Sequence, residues 1–347
     1  MKIGMFINEV ATEYPDYTTT CLAREATARG HEVWYVEVEN FAYDPDDMVR
    51  ARAVRVADGD YEDGKSYLAA LDADDTLEER IEVGDLDVLM LRNDPSISAS
   101  EHPWTTDVGI IFGQVAASRG VLVVNHPAGL ARAKNKLYFQ FFPKEVRPRT
   151  LITREADRIK AFVDELDGKV VLKPLQGSGG KSVFVVKDSA ANLNQMIEAV
   201  ARDGYVIAQE YLPAAADGDT RMFLMNGVPL QHDGRYAAVR RATAPGEVRS
   251  NMHVGGKPTK AKIGDTELRL AELVRPKLLQ DGMFLVGLDI AGDKLMEINV
   301  FSPGGIYSIE RLEKVPFSAL IIDSLERKVE HARHHLPRLG NRALAVL

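Results

Sequence analysis

The chain has 347 residues, of which 45% are hydrophobic and 27% are charged, so it is long enough for two or three domains with ample apolar cores. Its net charge of -8, without a long basic block, argues against a nucleic-acid partner, and any anionic ligand has to be held by local basic pockets. No apolar run approaches about 18 residues, and the single cysteine, Cys21, excludes an intramolecular disulfide. We therefore expect a cytoplasmic protein that does not bind a membrane.

The first part of the chain, residues 1–124, alternates between buried strands and helices. Residues 2–7 and 32–38 are rich in apolar side chains, and residues 18–29 between them have a helical pattern. Such a βαβ unit predicts an α/β domain with a parallel sheet and a right-handed crossover. The acidic residues 44–82 are interpreted as strands and turns exposed on one side.

A further buried strand is predicted at residues 87–91, and a polar group follows it. Because ligands of open α/β sheets bind beyond the carboxyl ends of the strands, this group is a candidate substrate contact. It consists of Arg92, Asn93 and Asp94. A simple Asn-Asp-Pro turn explains the same residues equally well. Residues 110–117 and 121–124 then predict a helix and the last strand of this domain.

A second domain is expected from residue 125, where the βα alternation stops and a segment with Pro and Gly begins. A helix predicted over residues 131–142 carries three cations, which are Arg132, Lys134 and Lys136. A charged helix face is usually only solvated, so Lys136 taken alone has no functional assignment. We place the second domain at residues 125–206 and a third at residues 207–335.

The most distinctive segment is a glycine-rich hairpin over residues 168–187. Two β-branched runs flank the turn QGSGGKS, whose glycines let backbone N–H groups approach an anion, and Lys173 and Lys181 add positive charge. A phosphate group is the expected ligand. The turn fits neither a Walker A loop nor a GxGxxG loop, both of which open a helix. On these residues alone, an ordinary hairpin turn is the better explanation.

Beyond the hairpin, the sequence returns to strands and helices. Strands are predicted at residues 205–212 and 219–225, and a helix at residues 266–281. Residues 240–260 have no apolar periodicity and are interpreted as a mobile loop. The closing helix is expected at residues 317–333.

Three oxygen-bearing side chains lie on two adjacent predicted strands near the end of the chain. They are Asp289, Glu297 and Asn299. Glu297 and Asn299 are two positions apart and therefore project from one face. The alternating apolar residues are expected to face a core; these are Met296, Ile298 and Val300.

Asp289 joins the face of Glu297 only if the connecting turn has three residues or the pairing contains a β-bulge, and we predict one of these forms. Three hard oxygen ligands without nitrogen or sulfur suit Mg²⁺, which completes its octahedron with water and substrate phosphates. A polar, solvent-exposed strand face explains the same three residues. The triad alone therefore does not establish a metal site.

Taken together, these segments resemble the ATP-grasp ligases. The resemblance rests on Lys136 after an Asn-containing helix entry, LKP with Lys173, GSGGKS, AQEYLP, the pair Asp219 and Arg221, GEVRSN, and LDIAGDKLMEINVFSP. The order and spacing of these motifs are most similar to those of the prokaryotic glutathione synthetases, over residues 2–327. The combination is far more specific than any single motif.

The resemblance implies an α/β protein with an α+β C-terminal half. A Rossmann-like pre-ATP-grasp domain would be followed by a two-lobed ATP-grasp fold, with a lid in its smaller lobe and a metal site in its C-terminal lobe. The implied activity is an ATP-dependent carboxylate–amine ligase that forms an acyl phosphate, with γ-glutamylcysteine and glycine as substrates and glutathione as product. Related ligases form dimers or tetramers, so we also expect a homo-oligomer.

The resemblance also assigns site residues, in four groups. The ATP contacts would be Lys136, Lys173, Ser178, Gly179, Gly180, Gln209, Glu210, Tyr211, Leu212 and Asp219. Two Mg²⁺ ions would be held by Asp289, Glu297 and Asn299. The residues facing the reacting carboxylate would be Arg221, Arg249 and Asn251. The remaining substrate contacts would be Arg92, Asn93, Asp94, Ser302, Gly304 and Gly305.

Two departures from the family pattern leave the substrate less defined than the use of ATP. The segment Ser302-Pro303-Gly304-Gly305 offers backbone N–H groups where family members have a hydroxyl residue and often an arginine. The long loop does not show whether Arg240 or Arg241 matches the family arginine. The alternatives are another ATP-grasp peptide or amino-acid ligase with a different acceptor, and a non-catalytic nucleotide-binding module.

Overall fold

The computed structural model describes residues 1–73, 76–96, 102–176, 182–186, 192–242, 258–335 and 339–347. These residues form three main sheets that follow one another along the chain, together with one short hairpin. The predicted mixed α/β class is confirmed. Within the described ranges, no helix is both long and apolar enough to cross a membrane.

The first sheet has seven strands, and its centre is parallel. Its strands are β1 (Lys2–Ile7), β2 (Glu32–Glu37), β3 (Phe41–Tyr43), β4 (Val49–Arg55), β5 (Leu77–Glu82), β6 (Val88–Leu91) and β7 (Leu122–Val124). The order along the sheet is β3-β4-β2-β1-β6-β7, with β5 paired to β4. The chain leaves β1 toward β2 on one side and reaches β6 and β7 on the other, so the topological switch point lies between β1 and β6.

Three helices belong to this domain: α1 (Thr18–Ala28), α2 (Gly64–Leu71) and α3 (Thr105–Ser118). The interpretation of residues 44–82 as strands and turns missed α2. That helix begins with a capping box, in which the Asp63 carboxylate accepts from the Ser66 N–H at 2.8 Å and the Ser66 hydroxyl accepts from the Asp63 N–H at 3.1 Å. This local cap, together with burial of Tyr67 and Leu71, is sufficient for two helical turns.

The single helix predicted over residues 131–142 is wrong, because the chain forms two shorter elements. Helix α4 (Pro127–Arg132) ends early, and a 3₁₀ helix follows at Lys136–Phe141. Asn135 separates them, since its extended backbone cannot continue a helix and its side chain accepts from the Leu137 N–H at 3.0 Å. Lys136 therefore lies at the start of the second element and not within a continuous helix.

The second sheet has four antiparallel strands. These are β8 (Thr150–Thr153), β9 (Val170–Pro174), β10 (Phe184–Val186) and β11 (Val206–Glu210). Helices α5 (Ala156–Glu165) and α6 (Leu193–Ala201) accompany it. Ile159 and Val163 of α5 pack with the buried side of β9 in a core that belongs to this domain alone.

The third sheet has six strands, mainly antiparallel. They are β12 (Asp219–Met225), β13 (Val228–Pro229), β16 (Ala238–Arg241), β17 (Pro258–Lys260), β18 (Leu285–Ala291) and β19 (Lys294–Asn299), and the short hairpin between them is β14 (Gln231–His232) with β15 (Arg235–Tyr236). The predicted loop at residues 240–260 is too long, because both of its ends are strands that pair with each other.

The last helices are α7 (Asp265–Gln280), α8 (Ile306–Glu313), α9 (Phe317–His335) and α10 (Asn341–Leu344). Two large cores contain residues of both the first and the third sheet, whereas the second sheet has its own. The outer domains are therefore joined through shared apolar packing.

Asn125 joins the outer domains through hydrogen bonds as well. Its side-chain oxygen accepts from the N–H groups of Phe284 and Leu285 at 2.7 and 2.9 Å. Its amide nitrogen donates to the carbonyls of Leu285 and Val300 at 3.0 and 2.5 Å. The side chain is buried, so these four backbone groups depend on it in place of water.

Replacing Asn125 with alanine should lower the free energy of unfolding by about 3 kcal/mol, because buried backbone donors and acceptors lose their partners. Urea unfolding followed by far-UV circular dichroism measures the change. Asn192→Ala is the matched control, since Asn192 is exposed and its side chain makes no capping bond. Equal losses in the two variants would contradict this role for Asn125.

Candidate active site

A cavity of about 420 Å³ is lined by residues of the first, second and third domains. Seven of the predicted site residues line it: Asp94, Lys136, Lys173, Gln209, Glu297, Asn299 and Ser302. They come from positions more than 200 apart in the sequence, and only the packing of the three domains brings them together. The predicted convergence of two lysines and an acidic strand on one cleft is therefore present in the fold.

Two lysines supply positive charge to this cavity. Lys173 projects from β9, and its ammonium donates to Gln209 Oε1 at 2.9 Å, while Gln209 Nε2 donates to Thr150 Oγ1 at 3.2 Å. Burial lowers the pKa of Lys173 to about 8, the carboxylate of Glu297 opposes that shift, and the nearby charge of Lys136 adds to it. Lys136 is positioned by its backbone N–H, which donates to the Leu175 carbonyl at 3.1 Å. Two adjacent cations of this kind favour binding of a polyanion.

Apolar side chains form another part of the cavity wall, and the sequence interpretation missed them. They are Phe139, Leu175, Ile207, Met296, Ile298 and Val300. The expectation that these residues face a core is confirmed for Val300, which is buried in the large core, and for Ile298, which packs against it. Met296, Ile298 and Val300 also line the cavity, which the sequence did not predict. Apolar surface beside a few polar groups is typical of a small-molecule or cofactor site.

The predicted β-bulge is present between β18 and β19. Ile290 pairs with Leu295, but Asp289 pairs with Glu297, so Met296 is the extra residue. The bulge places the Asp289 and Glu297 side chains on one face, although the turn itself contains only Gly292 and Asp293. Asn299 also belongs to this face, and its amide nitrogen donates to Asp289 Oδ2 at 3.2 Å.

Asp289 is buried and lies between two arginines. Arg221 donates from Nε and Nη2 to the two carboxylate oxygens, each at 2.7 Å, and Arg241 approaches Oδ2 at 2.9 Å. Although burial favours the neutral acid, the two guanidinium groups hold the pKa of Asp289 well below its ordinary value, at about 2. Asp289 is therefore a fixed negative charge at any physiological pH.

The donor set fits a hard cation. Glu297 and Asn299 line the cavity, and Asn299 uses its nitrogen on Asp289, which leaves its amide oxygen for a metal. Asp289 is not among the described residues that line the cavity. Its carboxylate nevertheless lies beside Asn299, which donates to it, and Asp289 is the strand partner of Glu297. In the described ranges, no cluster of three or more His, Cys, Asp or Glu residues could hold a metal. Any site here consists of two carboxylates and an amide.

The remaining predicted nucleotide contacts have other partners. Glu210 ends β11, and Tyr211 and Leu212 follow it. Unlike Gln209, none of the three is among the described cavity residues. The Arg149 N–H donates to Glu210 Oε2 at 3.0 Å, and the Tyr211 N–H donates to the Lys169 carbonyl at 2.9 Å. Asp219 was expected within reach of the nucleotide pocket, yet it is buried and accepts two hydrogen bonds from Arg241 at 2.7 and 2.8 Å.

The sequence did not show which of Arg240 and Arg241 belongs to the site, and the contacts favour Arg241. It binds both Asp219 and Asp289, whereas Arg240 donates from Nη2 to the carbonyl of Asp217. Arg221 has a further contact, since its Nη1 donates to the Gly304 carbonyl at 3.2 Å. Alternation along β16 would have separated the two arginines, because neighbouring residues of a strand face opposite sides of the sheet.

The predicted substrate residues lie partly outside the cavity. Asp94 and Ser302 line it, whereas the other four, Arg92, Asn93, Gly304 and Gly305, are not among its described lining residues. Arg92 and Asn93 are buried at the carboxyl end of β6, and Asp94 is fixed by Asn8, whose Oδ1 accepts from the Asp94 N–H at 2.7 Å. Gly304 and Gly305 precede α8, and a Cβ added at Gly304 would meet nothing within 4 Å. The predicted lid residues Ser178, Gly179 and Gly180, and the predicted catalytic residues Arg249 and Asn251, lie outside the described residues.

Comparison with known families gives two matches, which together cover most of the chain. Residues 1–131 match the N-terminal domain of prokaryotic glutathione synthetase, and residues 135–314 match the ATP-grasp domain of prokaryotic glutathione synthetase. Among curated relatives, the glutathione synthetase of Vibrio parahaemolyticus is 32% identical over 333 residues, covering 95% of this chain and 99% of the relative. That of Escherichia coli K12 is 30% identical over 334 residues, covering 95% and 99%.

Solved structures share the fold at lower identity. D-cycloserine synthetase aligns with a TM-score of 0.62 and 15% identity, over 94% of this chain and 99% of its own. The macrocyclase MdnC of Microcystis aeruginosa, bound with a precursor peptide, aligns with a TM-score of 0.60 and 12% identity, over 94% and 100%. These similarities concern the arrangement of the domains and not the substrate.

Replacing Asp289 with asparagine should lower the free energy of unfolding by about 3–5 kcal/mol, because two arginines lose the carboxylate that compensates their buried charge. The pKa of Asp289 is about 2 in the fold against an ordinary 3.8, so its contribution is present above about pH 4 and is lost as the pH falls toward 2. The difference from wild type should therefore shrink in that acidic range. Urea unfolding at several pH values measures it.

Asp293→Asn serves as the control for this prediction. Asp293 lies in the turn between the same two strands, with its side chain 81% exposed. Its replacement should change stability by no more than about 0.5 kcal/mol at every pH. An Asp289 variant that behaves like this control would show that the buried arginines do not depend on that carboxylate.

Proposed function

This chain belongs to the prokaryotic glutathione synthetase family, and from that membership we propose that it joins γ-glutamylcysteine to glycine, converting ATP to ADP and phosphate and releasing glutathione. Two family matches and relatives at about 30% identity over 95% of the chain support the assignment. The chain is accordingly an ATP-dependent ligase that forms C–N bonds. What remains a proposal is the role of each residue.

The observation that carries the proposal is the convergence of Lys136, Lys173 and Glu297 on one cavity. A triphosphate has several negative charges, and two ammonium groups on one wall with a cation-binding strand on the other would neutralise them. We assign Lys136 and Lys173 to the α- and β-phosphates. Bound phosphate would also raise the pKa of Lys173 from its depressed value, so the lysine would be fully charged in the complex.

The apolar part of the same cavity would hold the adenine ring. Leu175, Ile207 and Met296 supply apolar surface, and Gln209 presents its amide beside Lys173. The backbone of residues 210–212 follows directly and would bond the edge of the base. Ser178, Gly179 and Gly180 keep their assignment as the lid over the β- and γ-phosphates, which excludes water from the reaction.

Magnesium would be held by Glu297 and Asn299, with Asp289 completing the set, and we retain two ions as the proposed number. When bound, the metal would neutralise charge on the transferring phosphoryl group. Arg221 and Arg241 fix the orientation of Asp289 by three contacts, so this carboxylate does not need to reorganise when ligands arrive. Asp219 in turn holds Arg241.

The reaction would proceed in two steps. The cysteinyl carboxylate of the dipeptide attacks the γ-phosphorus of ATP, which forms an acyl phosphate and releases ADP. The amine of glycine then attacks the activated carbonyl carbon, and inorganic phosphate leaves. Three of the five N–H donors of Arg221 bind Asp289 and Gly304, and the other two would serve the oxygen that develops negative charge, together with Arg249 and Asn251.

A second candidate is another ATP-grasp ligase with a different acceptor. The open space beside Gly304 favours considering it, because Gly304 and Gly305 themselves supply neither a hydroxyl nor a guanidinium to the substrate. The ATP half of the site would be the same in both cases.

Homo-oligomeric assembly, which the family resemblance implies, is also a proposal.

The assay that separates the two is phosphate release by the purified chain with ATP, Mg²⁺ and defined pairs of substrates. We expect release with γ-glutamylcysteine and glycine, and none when either is left out. Release with γ-glutamylcysteine and an amine other than glycine, but not with glycine, would transfer the assignment to the second candidate. The absence of release with any amino-acid pair would favour a non-catalytic nucleotide-binding module.

Replacing Glu297 with glutamine should lower kcat by a factor on the order of 10² or more, because one carboxylate of the proposed metal set becomes neutral. ATP should still bind through the two lysines, which equilibrium binding of a fluorescent ATP analogue measures. Glu198→Gln, on the exposed side of α6, is the control and should keep full activity. Unchanged turnover in the Glu297 variant would remove that residue from the metal set.

A further inference from the structure

The loops at the topological switch point of the first sheet carry a pair of opposite charges that the proposed chemistry does not use. The loop after β1 contains Glu13, and the loop after β6 begins with Arg92. Asn8 and Asp94 tie the two loops together, since Asn8 Nδ2 donates to the Asp94 carbonyl at 3.0 Å and the Asp94 N–H donates back to Asn8 Oδ1 at 2.7 Å. Ligands of open α/β sheets bind at this position.

The carboxyl group of Glu13 has an oxygen that the protein does not satisfy. Glu13 Oε2 is buried and has no hydrogen-bond partner among the residues that the structure describes. Burial raises the pKa of Glu13 to about 7, while the charge of Arg92 and a hydrogen bond from Thr20 oppose that shift. A buried acceptor without a donor costs free energy, so a donor supplied by a ligand would remove the penalty.

Among the described residues, the guanidinium of Arg92 lacks an acidic partner, just as the Glu13 oxygen lacks a donor. Its side chain is buried, Nε donates to Thr19 Oγ1 at 3.3 Å, and Nη2 donates to the Pro303 carbonyl at 3.2 Å. Both partners are neutral, and no carboxylate of the described chain lies within ion-pair distance. Glu13 is near enough to interact through its charge but is not in contact. A buried arginine with only neutral partners is well suited to bind a carboxylate from a ligand.

This pair lies at a dipeptide's length from the proposed reaction centre. Arg92 donates to the carbonyl of Pro303, and Arg221 donates to the carbonyl of the next residue, Gly304. Because consecutive Cα atoms are about 3.8 Å apart and each hydrogen bond adds 3.2 Å, the two donor nitrogens lie within roughly 12 Å of each other. A γ-glutamyl dipeptide whose cysteinyl carboxylate reaches Arg221 therefore places its other end near Arg92.

We propose that Glu13 and Arg92 form a subsite for the amino-acid head group of the γ-glutamyl residue, with Glu13 accepting from its α-ammonium and Arg92 binding its α-carboxylate. The inference rests on the proposed function, and it adds Glu13 as a specificity-determining residue of the first domain. A head group with both charges gives Glu13 Oε2 a hydrogen-bond donor and gives the Arg92 guanidinium a carboxylate partner. A substrate without the ammonium leaves Glu13 buried and unsatisfied.

The test compares Glu13→Gln with wild type by calorimetric titration of two ligands in the presence of ADP and Mg²⁺. γ-Glutamylcysteine carries the ammonium, and glutarylcysteine is the same molecule without it. We expect the variant to bind γ-glutamylcysteine about tenfold to a hundredfold more weakly, and to bind glutarylcysteine as wild type does. Glu9→Gln, an exposed residue of the same loop, should bind both ligands like wild type.

Arg92→Lys provides the second arm, because it keeps the charge but loses the planar fork. The Arg92→Lys variant should bind γ-glutamylcysteine more weakly than wild type does. It should bind 4-aminobutanoylcysteine, which lacks the α-carboxylate, as wild type does. Equal weakening of a ligand and its truncated analogue, or no binding of γ-glutamylcysteine by wild type, would overturn the subsite. Failure of the proposed function would give a different result: the subsite would still bind γ-glutamylcysteine specifically, but no phosphate would be released when ATP and glycine are added.

Discussion

The site depends on one buried carboxylate, that of Asp289, held between Arg221 and Arg241. Two guanidinium groups placed this close together would repel each other, and the carboxylate between them compensates both charges. The same contacts fix β18 relative to β12 and β16, which carry the arginines. Asp219 extends the network by binding the far side of Arg241. The charges beside Asn299 and Glu297 are therefore held in place by contacts within the protein itself.

Around this network, the domains contribute in different ways. The second sheet supplies Lys173 and Gln209 and has a core of its own. The first and third sheets share their cores and are further joined by Asn125. The outer domains are therefore joined by apolar packing and hydrogen bonds, whereas the smaller domain packs around a separate apolar core.

The site residues differ in how far the sequence could predict them. The bulge at Met296 was predictable, because only an irregular pairing lets Asp289 and Glu297 share one face when the turn has two residues. The convergence of Lys136 and Lys173 followed from resemblance, not from local pattern. The apolar cavity wall was missed, since alternation along β19 assigned Met296, Ile298 and Val300 to a core, and only the packed domains show that they also line the cavity. Asp219 was placed near the nucleotide, but it binds Arg241.

The sequence by itself determined the class of fold and the order of the domains, because these depend on periodicity and on residue type within short segments, whereas the candidate ligands followed from the order and spacing of several motifs that resemble one family. It also indicated the bulge, which is a matter of counting positions. The tertiary structure alone decided which charges meet, including the two arginines on Asp289 and the position of Arg92 beside Pro303. These contacts join residues between 48 and 211 positions apart, and no local pattern encodes a distance between segments that only packing brings together.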